Sequence, residues 1–145
     1  VTLQIANIRS WTPERIAAAS PSLLACIQRI VDERPDEVTV AWLLGEVLAG
    51  RQVLWVAFDE AAPDMVVMAA FTAIQHYLAT GYTFAKVIGL GGAGIDEALP
   101  FLDEIERWAK ANGAQCIEES GREGWVRVLA KHGYRRKSTT LTKAL

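Results

Sequence analysis

Three groups of residues have types and spacings that could do chemistry. The first is the run Gly89-Leu90-Gly91-Gly92-Ala93-Gly94. Glycines let main-chain amides come close to an anion, and the acids Asp96 and Glu97 just behind them mark the first turn of a helix. A helix N-terminus carries partial positive charge, so a pyrophosphate suits this place, with Gly91, Gly92, Ala93 and Gly94 as its cradle. The alternative is a plain strand-to-helix turn that binds nothing. Gly89-x-Gly91-x-x-Gly94 also satisfies the dinucleotide fingerprint formally. Only about 50 residues follow it, too few for the sheet that grows outward from such a motif, which argues against nicotinamide or flavin. The second group is Glu118-Glu119-Ser120-Gly121-Arg122. Alternation along a strand sends the two carboxylates to opposite faces, so at most one faces a given site. Arg122, at the start of the last helix, is placed to reach a phosphate; an ion pair with Glu118, Glu119 or Glu123 is its other use. The third is His76, able to titrate near neutrality but placed at a strand end. With His132 it makes up the whole histidine content, which leaves no metal site. Ser120 and Cys116 have no histidine at a readable spacing, so neither reads as a nucleophile.

The elements that must position these residues follow from the pattern. Thr12-Pro13-Glu14 opens a helix: a hydroxyl cap, proline at the first helical position and an acid near the positive end. Ser20-Pro21 is expected to interrupt it and start a second helix, with Leu23, Leu24, Ile27, Ile30 and Val31 on one apolar face. A third helix is expected from Asp36 to Leu48, stopped by Gly50. Beyond Gly50 the period changes. Val53 to Phe58 and Met65 to Ile74 are apolar runs that read as an antiparallel hairpin, and Phe84 to Leu90 reads as the next strand. A helix from Asp96 to Asn112, a strand from Gln115 to Glu118 and a helix from Arg122 to His132 follow. Gly133-Tyr134 is a glycine cap with its hydrophobic partner. Ser138 to Leu145 is expected as a closing strand. The class is α+β with one internal strand–helix–strand unit.

Composition narrows the partners. The chain has 145 residues, 51% of them apolar and 22% charged, which fits one domain over residues 1–145. A net charge of −2 gives no reason to expect nucleic acid or an anionic membrane surface. No apolar stretch is long enough to span a membrane. Cys26 and Cys116 are far apart inside apolar patterns and read as two buried thiols in a reducing compartment. With no basic-then-apolar leader pattern, the expected compartment is the cytoplasm.

A hairpin, a strand, a glycine-bearing loop, a long helix, a strand, a helix ending in Gly-aromatic and a final strand resemble the GNAT superfamily of N-acetyltransferases. The resemblance covers residues 51–145; residues 1–50 supply N-terminal helices without a motif. It implies a layered α/β/α fold with a mixed, mostly antiparallel sheet. In that family a Gln/Arg-x-x-Gly-x-Gly/Ala loop holds the coenzyme A pyrophosphate. Here the loop offers Gly89-x-x-Gly92-x-Gly94 or Ile88-x-x-Gly91-x-Ala93, keeping the small residues without the leading Gln or Arg. The family's later helix often reads Asn-x-x-Ala-x-x-Leu-Tyr-x-x-x-Gly-Phe. Aligned on Gly133-Tyr134, those positions are Arg122, Trp125, Val128 and Leu129, so only the Gly-aromatic end is kept. Gly121-Arg122-x-Gly124-Trp125-x-Arg127-x-Leu129 is also similar to a group of small GNAT-like proteins encoded by bacteriophages and prophages.

The resemblance implies an acyl-CoA-dependent N-acyltransferase with acetyl-CoA as its acyl donor and an unknown amine as acceptor. Acyl transfer needs a base for the ammonium proton, and Glu118 is the residue assigned to it. Gly91, Gly92, Ala93, Gly94 and Arg122 are the residues assigned to the cofactor. The other function compatible with the missing Gln/Arg, the missing tyrosine and the bulky Trp125 is a catalytically inactive interaction or assembly module, virion-associated if phage-encoded. GNAT-like domains often dimerise through their sheet edges, and here the apolar N-terminal helices offer a second surface for a homodimer.

Overall fold

The structure, a computed structural model, describes residues 3–92, 94–120 and 123–145, the side chains of residues 95–97 and 123 excepted. In chain order the elements are β1 (Leu3–Asn7), a 3-10 turn (Ile8–Ser10), α1 (Pro13–Glu33), α2 (Val40–Leu48), β2 (Val53–Asp59), β3 (Ala62–His76), β4 (Thr83–Gly92), α3 (Ile95–Ala111), β5 (Ile117–Glu119) and α4 (Glu123–Ala130). The five strands lie side by side in sequence order. β1 to β4 are antiparallel neighbours, and α3 carries the chain across so that β5 runs parallel to β4. The sheet is therefore mixed and mostly antiparallel, with helices on both faces.

Alternation explains why β2 reads as a continuous apolar run. Leu54, Val56 and Phe58 join Leu23, Ile27 and Ile30 of α1 in one core. Trp55 and Ala57 point the other way, into a second core with Phe101 and Ile105 of α3. Each face of the sheet is dry, so both residue sets are apolar. The indole of Trp55 donates to the buried Thr72 hydroxyl at 2.9 Å, which satisfies both polar groups in that second core.

Several elements differ from the sequence reading. The expected break at Ser20-Pro21 is absent: α1 runs unbroken from Pro13 to Glu33 with Pro21 inside it. The apolar stripe of α1 packs along its whole length on the sheet, and that burial outweighs one lost backbone hydrogen bond. α2 starts only at Val40, where the Thr39 hydroxyl accepts from the Trp42 amide. β1 was not foreseen; its five residues are too few to show a period. Gly89, Gly91 and Gly92 lie in β4 rather than in a loop. Residues 134–145, expected to end in a strand, have no regular structure. Cys26 is buried as expected, whereas Cys116 is exposed. Among the described residues no helix is long and apolar enough to cross a membrane.

Candidate active site

β4 is longer than its parallel neighbour, and that mismatch makes the site. The two strands pair only at Ala85–Ile117, Lys86–Glu118 and Val87–Glu119. Beyond Val87 the β4 edge runs on to Gly92 with no strand beside it among the described residues. Ile88 is the extra residue of a bulge, since Phe71 pairs with Gly89 and Thr72 with Val87. A bulge bends its strand and re-aims the backbone, and here it falls where β4 and β5 part. The gap opens into a cleft of about 780 Å³, floored by Gly89 to Gly92 of β4 and reached by Gly94, Glu119 and Trp125.

α1 forms one wall, and the glycines decide how close it comes. A Cβ on Gly91 would stand 2.5 Å from the carbonyl oxygen of Cys26, and one on Gly89 would overlap the Ile30 side chain. The helix could not pack at this distance on a strand with side chains there. Gly92 has φ +128°, a backbone shape other residues rarely adopt. From α1 two guanidinium groups reach the open strand edge. Arg29 donates from Nη1 to the Gly92 carbonyl at 2.8 Å. Arg34, at the end of the helix, donates to the Ile88 carbonyl at 2.5 Å and to the Ser120 carbonyl at 2.7 Å.

At the far end of the cleft stands the N-terminus of α3. Gly94 is its N-cap and, being glycine, offers no side chain to cap the amides of the first turn. The indole of Trp125 packs against the core formed with Trp55 and Phe101 and also lines the cleft.

The two acids of β5 part as alternation requires. Glu118 pairs with Lys137, whose ammonium also donates to the Tyr77 hydroxyl at 2.8 Å. Glu118 and Lys137 line a second hollow beside α4, which borders the cleft through Glu119, Ser120 and Trp125. Glu119 lines the cleft, half-buried, and its Oε2 is shielded from solvent without a hydrogen-bond partner among the described residues. Burial pushes its carboxyl up to about 7 from the usual 4.5, with Arg34 pulling the other way.

Of the residues singled out in the sequence, the structure brings Gly91, Gly92 and Gly94 to the cleft and places Glu118 outside it. Ala93 and Arg122 lie outside the described residues. His76 bonds through Nδ1 to the Thr83 hydroxyl at the other end of β4. Leu129, aligned with the family's tyrosine, is buried and faces the second hollow. Sequence reasoning missed Arg29 and Arg34. Their spacing of five residues carries no motif, and only the packing of α1 on the glycines of β4 brings both to one strand edge.

No protein-family profile matches the sequence, and no curated protein sequence matches it. Solved structures do. A GNAT family acetyltransferase from Staphylococcus aureus superposes with TM-score 0.61 at 10% identity over 100% of both chains. Glucosamine-6-phosphate N-acetyltransferase from Arabidopsis thaliana gives 0.67 at 12% identity over 99% of both. A predicted acetyltransferase from Clostridium acetobutylicum, in a crystal structure with acetyl-CoA, gives 0.60 at 13% identity over 99% of this chain and 95% of that one. Superposing over 99–100% of its length on these structures, the chain has the fold of the GNAT acetyltransferases.

Proposed function

We propose that this protein is an acyl-CoA-dependent N-acyltransferase acting on a small-molecule or protein amine, with Glu119 as its base. The observation that carries the reading is the half-buried Glu119 carboxyl, with one oxygen that has no hydrogen-bond partner among the described residues, inside the cleft left by the parting of β4 and β5. A base that works near neutrality needs a proton affinity near neutrality, and burial gives Glu119 one at about 7. Glu118 is paired with Lys137 away from the cleft, so the role assigned to it passes to its neighbour.

Acetyl-CoA fits the groups present and would supply an acyl group activated as a thioester. Gly92 and Gly94, with the uncapped first turn of α3, would hold its diphosphate by main-chain amides. The edge of β4 between the Ile88 and Gly92 carbonyls, which accept from Arg34 and Arg29, would hold an extended amide-bearing chain by its remaining backbone groups. Glu119 would take the ammonium proton of the acceptor, and Trp125 would exclude water from one side. Ala93 and Arg122 complete the set of residues assigned to the donor.

A second reading, an inactive binding or assembly module, has one observation in its favour. Leu129 stands where the family's tyrosine would protonate the leaving thiolate, and it is buried and apolar. Calorimetric titration with acetyl-CoA and coenzyme A, followed by turnover against an amine panel, separates the two. Binding and turnover that is lost in Glu119→Gln support the enzyme. Absence of binding at millimolar ligand would sink it and turn the search to protein partners, a phage particle among them.

A further inference from the structure

Arg34 closes α1. It stands at the C-cap of α1, after the last helical residue, and its side chain is mostly buried rather than reaching solvent. One guanidinium nitrogen donates to Ile88, the bulged residue of β4, and the other to Ser120, the first residue after β5. These two carbonyls lie on the two strands just past their last backbone pair, Val87–Glu119. The planar fork of arginine fits such a pair of acceptors, and one group thus spans the gap where ladder hydrogen bonds stop. Both acceptors are neutral, and the carboxylate of Glu37 is only at the limit of pairing, 4.0 Å away and exposed. Among the described residues, the Arg34 guanidinium lines the cleft and acts on the Glu119 carboxyl.

We propose that Arg34 is a positioning residue of this site: tied to the backbone of both parted strands, it sets the width of the cleft and holds the Glu119 carboxyl turned into it. The proposal rests on the reading of Glu119 as the base. Among the described residues, the charged and titratable groups lining the two hollows that Glu119 borders are Arg29, Asp32 and Glu33 of α1 with Arg34 at its cap, Tyr82 and Lys86 at β4, Glu106 of α3, Cys116 and Glu118 at β5, and His132, Tyr134, Arg135, Arg136 and Lys137 beyond α4. Among them Arg34 supplies the charge that opposes burial at Glu119. Without it the carboxyl would hold its proton to higher pH, and β5 would lose its anchor to β4 beyond the third pair.

The test is a carboxyl-carbon NMR titration of the full chain, glutamate-labelled, in the parent, Arg34→Met and Arg34→Lys, with amide exchange followed at Ile117 to Glu119. Arg34→Met is expected to raise the Glu119 midpoint by about one unit, a tenfold gain in proton affinity. Arg34→Lys restores charge but not the two-pronged bridge; it is expected to hold the midpoint near the parent value while β5 amides exchange faster. A midpoint unmoved in Arg34→Met overturns the proposal. If that variant does not fold, Arg34→Lys decides alone, and β5 protection equal to the parent's overturns it. Turnover retained in Glu119→Gln would remove the base reading, whereas the titration still judges Arg34.

Discussion

Glu119 ties the proposed chemistry to stability, so its proton can be followed without knowing the acceptor. Its folded proton affinity, at about 7, lies above the ordinary 4.5. Between those values the native state holds a proton that the unfolded chain has released. Its contribution is therefore full below the unfolded value, declines as pH rises through the window, and is gone above the folded value. The whole decline amounts to about 3 kcal/mol. Glu119→Gln keeps the size of the side chain and removes the titration. Urea unfolding at pH 5 and pH 8 should show the parent losing stability between them and the variant losing much less. An equal loss in both proteins would place the titration elsewhere. Glu118→Gln, outside the cleft, should leave any turnover as it is.

At the scale of elements, the glycines do two different jobs, and substitution separates them. Gly91 keeps α1 close to β4, where a Cβ would stand 2.5 Å from the Cys26 carbonyl. Gly91→Val must push backbone from backbone, and a loss of about 2 kcal/mol or more is expected by denaturant unfolding. Gly94 has an ordinary backbone shape, φ −74°, and no side chain with which to cap α3. Gly94→Asp should cap the helix and raise stability by about 0.5 kcal/mol. The same carboxylate would repel a diphosphate, so coenzyme A binding should weaken at least about tenfold. Binding left unchanged in this variant would mean that the anion site is not at the α3 N-terminus. Much of this was legible in advance. The acids behind the glycine run and the small residues themselves marked the start of α3. The length of β4 was not legible, because glycine is a poor strand former and its reason here is a helix packed on top.

For the whole molecule, the cleft is where three layers meet: α1 on one side, β4 and β5 as the floor, and α3 with Trp125 on the other. A ligand lodged there contacts all three layers and should stabilise them as a unit. At 100 times its dissociation constant, acetyl-CoA should add about 2.7 kcal/mol, read as a rise of several degrees in a thermal shift assay. Free coenzyme A should do nearly as well, because the diphosphate and the extended chain supply most of the contacts. Tyr134 adds a tie between the layers. It follows the Gly133 cap, its amide bonds back to Leu129, and its hydroxyl donates to Glu106 of α3 at 2.7 Å. Burial and that carboxylate push the hydroxyl well above its usual range, so it stays a donor throughout the working pH range.

The sequence by itself determined the fold class, the strand–glycine–helix unit and the two-sided burial of the central strands. These depend on local period, caps and composition, and each of those is written in neighbouring residues. Only the tertiary structure decided which acid meets the cleft. Alternation says that Glu118 and Glu119 part but not which face carries α1, and a shift of one residue would exchange them. Only the structure placed Arg34 across the gap, since Ile88 and Ser120 come together through a parallel crossover of more than 30 residues. It also withheld the last strand: residues 138–145 have the composition of one, but a strand exists only where an edge pairs with it, and β5 offers three residues.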